Sequence, residues 1–91
     1  MLKFRKSAYK HGISKERIEQ VLSDEYGPTL WREIHPDSLG RAQEMVVGYD
    51  NNGLLLEIGL TYVEEFVFIF HAARASFSWR MQHKEEFDAW N

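Results

Sequence analysis

The sequence predicts an α+β domain in which an antiparallel sheet of three to four strands packs with an N-terminal helix and a C-terminal helix. Three observations predict it. Ile13-Ser14 opens a segment whose apolar residues recur at helical spacing. Two apolar runs flank the turn residues Asp50-Asn51-Asn52-Gly53. From Ala72 onward the chain has no β-branched residue and is rich in good helix formers. At 91 residues the chain has the length of one domain, which is taken to span 1–91.

The elements follow in chain order. In Met1–Lys6, Leu2 and Phe4 alternate with Lys3 and Arg5, a pattern that fits a first strand or an extended arm. Ser14 is a good helix N-cap, because its hydroxyl accepts from a free first-turn amide. Ile13 and Ile18 sit at the two ends of a hydrophobic staple. Ile18, Val21 and Leu22 then form one apolar stripe, and Gly27-Pro28 is expected to end the helix. Thr29–Ile34 alternates Leu30, Arg32 and Ile34 against Trp31 and Glu33 and fits a short strand. His35–Gly40 reads as a loop.

Residues 44–49 and 54–60 form the clearest local unit, a β-hairpin, because Asn and Gly tolerate the positive φ of a tight turn. A second reversal at Tyr62–Glu65 leads into Phe66–His71, an aromatic and β-branched run expected to be a central strand. Simple alternation would put Phe66, Phe68 and Phe70 on one face and Val67, Ile69 and His71 on the other. The tail is expected to be helical from about Ser76, with Trp79 and Trp90 suited to a partner contact and to self-association.

Charge is unevenly distributed. Residues 1–17 hold six basic side chains against Glu16, a net +5, which leaves −8 on the remainder of a chain whose net charge is −3. A basic cluster of this kind fits phosphates or an acidic partner, whereas a general coater of nucleic acid is usually basic throughout. With no cysteine, a disulfide framework and thiolate metal sites are excluded. No signal-like apolar run and no membrane-length apolar segment is present, so a cytoplasmic protein with no membrane partner is expected.

No metal is expected, since His11, His35, His71 and His83 do not pair with one another or with a carboxylate at a recognised zinc spacing. No cofactor is expected either, because there is no glycine-rich phosphate loop. Two local groups suit metal-free acid–base chemistry. Lys10-His11-Gly12 precedes a helix whose free amides favour an anion, and histidine transfers protons near neutrality. His71-Ala72-Ala73-Arg74 closes the last strand, where a rigid sheet positions an imidazole and a guanidinium fork. Ribonucleolysis asks for a base at the 2′-hydroxyl, a cation at the phosphorus and an acid at the leaving oxygen, and His, Lys and Arg suffice for all three. The plainer alternatives are that His11 shapes a turn, that His71 is a core-edge histidine, and that Arg74 serves a salt bridge. Trp31, Tyr49 and Tyr62 suit base stacking or, more simply, a core.

The same residues carry a family likeness. Lys10-His11-Gly12-Ile13-Ser14 resembles the "KHG-V/I-S" approach to the first helix of BrnT-type toxins. The Val46–Tyr49 strand, the Asn51-Asn52-Gly53 turn and Leu54–Ile58 resemble their "vvG…G-r-L-l-v" hairpin, and His71–Ala75 resembles their "sAR-A" motif. Order and spacing agree over roughly residues 7 to 76. The resemblance implies a RelE-like fold, a bacterial toxin of a type II toxin–antitoxin system, metal-independent RNA cleavage, and neutralisation by a cognate antitoxin. Carried over residue by residue, it points to Lys10, His11 and Arg74; together with the residue types above, His11, His71 and Arg74 are expected as catalytic and Lys6, Lys10 and Arg41 as RNA or phosphate contacts. The chain departs from the family in its basic rather than aromatic-acidic opening, and in Gln43 and Glu44 where an arginine is usual. Two other roles fit those departures: a non-catalytic protein-interaction module, or a small nucleic-acid-binding protein on the same scaffold.

Overall fold

The structure is a computed structural model that describes residues 2–75. Within them the order is β1 (Leu2–Phe4), a 3-10 turn (Lys6–Tyr9), α1 (Lys15–Ser23), β2 (Leu30–Ile34), β3 (Gln43–Tyr49), β4 (Leu55–Val63) and β5 (Phe66–Arg74). The α+β class is as expected, but the sheet is larger and mixed. Its five strands run in the order β1-β5-β4-β3-β2, and β1 pairs parallel to β5 while every other pair is antiparallel. The extra strand comes from the N-terminal segment, whose alternation is too short to distinguish a strand from an arm. One α-helix is present among the described residues. The expected C-terminal helix, with His83, Trp79 and Trp90, lies outside them.

Helix α1 forms where its start signals place it. Ser14 Oγ accepts from the Arg17 amide at 3.3 Å, and Ile13 and Ile18 are both buried. It ends sooner than the Gly27-Pro28 signal suggests, at Asp24, whose left-handed φ of 66° stops the helix. Its apolar stripe lies on the sheet and forms the main core with Val46, Leu56, Ile58, Leu60, Ile69 and Ala72. The other face of the sheet carries a smaller cluster of Val47 and Ala75, with Met45 and Leu55 packed against it. Both faces therefore hold apolar side chains, consistent with continuous rather than strictly alternating strand sequences.

The β3–β4 hairpin forms around residues 50–54. Gly53 takes the left-handed φ of 74° that the loop needs, and its amide donates to the Asp50 carbonyl at 3.1 Å. The buried Asp50 side chain fixes the rest. Its Oδ1 accepts from the amides of Asn52 and Leu54, and its Oδ2 accepts from Arg17 Nε at 2.8 Å, which ties the hairpin to α1.

Strand β5 departs from simple alternation. Leu60 pairs with Ile69 but Gly59 pairs with His71, so Phe70 is an extra residue on β5. The bulge moves His71 off the face of Ile69. A Cβ on Gly59 would lie 2.7 Å from Phe70 Cζ and 3.1 Å from His71 Cβ, so both residues stand on the Gly59 face, opposite α1. Beyond the bulge Ala72 returns to the α1 core, and the strand runs on to Arg74.

Candidate functional site

The site is built where the turn before α1 meets the end of β5. After pairing with β5 as far as Phe4, the chain continues along the open edge of that strand. The Arg5 amide donates to the Ile69 carbonyl at 2.9 Å, and the Ser7 hydroxyl donates to the Phe70 carbonyl at 2.6 Å. These two bonds seat the 3-10 turn beside the bulge, and buried Ala8 anchors it in the core. Lys6 and Lys10 remain exposed on its outer side.

That seating brings His11 to His71 although sixty residues separate them. Their ring centroids are 5.6 Å apart and the rings meet edge to face, at 72°. His71 Nε2 lies 3.7 Å from Glu57 Oε2 on the neighbouring strand, within ion-pair reach once the ring is protonated. The Glu57 side chain is 16 % exposed and that of His71 is 30 % exposed, while His11 is open to solvent. The arrangement offers two imidazoles close to one another, one of them within ion-pair distance of a carboxylate, with exposed Lys10 next to His11 in the chain. Such a set can remove one proton and deliver another.

The other expected residues lie apart from this pair. Arg74 is exposed at the end of β5 opposite Leu56, whose side chain belongs to the α1 core. Alternation beyond the bulge thus puts Arg74 on the α1 side and His71 on the opposite one. Arg41 sits at the far end of the sheet, where the Tyr62 amide donates to the Ala42 carbonyl near the β4–β5 turn. It closes its own loop by donating from Nε to Asp37 Oδ2 at 2.6 Å. His35 lies in that same loop, well away from β5. Of the aromatics, the Tyr62 hydroxyl donates to Glu44, Trp31 is 42 % exposed on the outer strand β2, and Tyr49 covers Gly27.

Glu57 was not expected in the site. Its signal is a lone carboxylate inside the aliphatic run Leu54–Leu60. The described residues contain no group of three or more His, Cys, Asp or Glu placed to hold a metal ion, and no helix among them is long and apolar enough to cross a membrane. In comparisons with known proteins, no protein-family model matches the chain and no curated protein matches it.

Proposed function

We propose that the chain is the toxin of a type II toxin–antitoxin pair, a metal-independent endoribonuclease on a RelE-like scaffold, acting in the bacterial cytoplasm and neutralised by a cognate antitoxin. The observation that carries the reading is the meeting of His11 and His71, 5.6 Å apart. One imidazole takes the proton from a 2′-hydroxyl, whose oxygen attacks the adjacent phosphorus. The other returns a proton to the departing 5′-oxygen. The products are a 2′,3′-cyclic phosphate and a 5′-hydroxyl end. Glu57 stands within ion-pair distance of His71 once that ring is protonated, and Lys10, next to His11 in the chain, is the cation available to the phosphorane. Arg74 acts outside this centre.

The test is cleavage of a labelled single-stranded RNA by the purified chain, with growth of bacteria expressing it measured alongside. His11→Gln and His71→Gln should each slow cleavage by about 10²–10⁴-fold while leaving the circular dichroism unchanged. Intact RNA and normal growth with the unsubstituted chain would remove the reading.

One observation favours the interaction-module reading instead. Strand β2 is an outer strand among the described residues, and Tyr26, Trp31 and Leu39 are exposed along its side of the molecule. That reading predicts a stable complex with a partner protein and no RNA cleavage.

A further inference from the structure

We infer that the β1 edge is a phosphate track for single-stranded RNA that leads into the His11–His71 site. The inference rests on the ribonuclease reading only for where the track ends. Lys3 and Arg5 alternate with core-facing Phe4, so both point to the face opposite α1. In a strand, residues two apart stand about 6.6 Å from each other, a separation comparable with that of successive phosphates in an extended single strand. The parallel register sets Lys3 opposite Phe68. Lys3 Nζ then lies over the Phe66 ring at 5.4 Å from its centroid, and the Arg5 guanidinium lies over the Phe68 ring at 5.0 Å. Two otherwise flexible cations are thereby held in file, each with its outer side open to solvent.

The file continues. Arg5 is hydrogen-bonded beside Ile69, and Lys6 and Lys10 follow on the turn that delivers His11. Among the described residues none of Lys3, Arg5, Lys6 and Lys10 has a carboxylate within ion-pair distance, whereas Arg17 is bound to Asp50 and Lys15 to Glu19. The bulge at Phe70 is what puts His71 on the same face as Lys3 and Arg5; without it the imidazole would face α1. A single row of cations matches one backbone, and a duplex would leave its second strand without partners. The acidic remainder of the chain disfavours binding elsewhere.

The test uses a fluorescent 2′-O-methyl RNA of about a dozen nucleotides, which binds but cannot be cleaved because its 2′-oxygen is blocked. Anisotropy is followed from 50 to 200 mM salt for the full chain and for the Lys3→Gln/Arg5→Gln variant, whose two substituted side chains are exposed. Each phosphate contact in a single strand contributes about 0.7 to the salt slope. The variant should therefore lose about 1.4 from the slope, so that its affinity falls about sevenfold less over that range. An unchanged slope would overturn the track, as would equal binding of the same RNA as a duplex, or equal competition by polyglutamate. The two readings separate cleanly. Cleavage of ordinary RNA with an unchanged slope in the variant keeps the ribonuclease and removes the track. A reduced slope with ordinary RNA left intact keeps the track and removes the ribonuclease.

Discussion

Replacing Asp50 tests how the hairpin is tied to the helix. The carboxylate is fully buried, while Arg17 is 25 % exposed. In Asp50→Asn the remaining carbonyl oxygen still accepts from the Asn52 and Leu54 amides, because both donate to the same oxygen. What is lost is the bond from Arg17 Nε, which then faces an amide nitrogen. Hydrogen bonds to charged groups contribute about 1.5–3 kcal/mol, and the solvent access of Arg17 puts this one near 1.5. Asp50→Ala removes all three bonds and should cost about 3 kcal/mol, at the lower end for breaking a buried ion pair. For a chain of this size those losses correspond to falls in Tm of roughly 6–12 °C and 12–24 °C. Urea unfolding followed by far-UV circular dichroism measures both. Equal losses in the two variants, or losses within about 0.5 kcal/mol of zero, would refute this account. The pH dependence has a definite sign. Burial pushes the Asp50 carboxyl up, but the Leu54 amide, the Arg17 side chain and the Asn52 amide outweigh it and hold it below its ordinary value of 3.8. A carboxyl lowered by folding stabilises above its unfolded value and loses that contribution as pH falls through the lower, folded one. The unsubstituted chain and Asp50→Asn should therefore converge in stability as pH drops below about 3.8.

Three further outcomes are expected. Gly59→Ala should slow RNA cleavage, because its Cβ would meet the Phe70 ring at 2.7 Å and His71 Cβ at 3.1 Å; chemical shifts of the two histidine rings report the displacement. Tyrosine absorbance titration should show one group ionising late, since burial and then the Glu44 carboxylate push Tyr62 up to about 12. A group raised by folding keeps its contribution below its unfolded value, so the benefit from Tyr62 should fade between about pH 10 and 12, and Tyr62→Phe should remove the late step. The amides of Leu39 and Arg41 both donate to Asp37 Oδ1, so Asp37→Ala, which removes that acceptor, should speed their hydrogen exchange while leaving that of the β3 amides unchanged.

Elements whose information is local are legible along the chain. A cap, a staple and a stripe at helical spacing specify α1, since a helix bonds within itself. The 44–60 hairpin is legible because its strands adjoin a turn with the right backbone freedom, and Lys10-His11 and His71 stand out as residue types. What depends on distant segments emerges only when those segments pair. Whether Leu2–Phe4 is a strand depends on the open edge of β5, more than sixty residues away. The face of His71 depends on one extra residue in β5, and Phe66–Phe70 reads as regular alternation until it is paired with β4, where the register slips at Gly59. One slipped residue reverses every following side chain. That slip sets His71 beside Glu57 and within 5.6 Å of His11, and it sends Arg74 to the other side of the sheet. Strand pairing is a property of two segments together, so neither segment's sequence contains it alone.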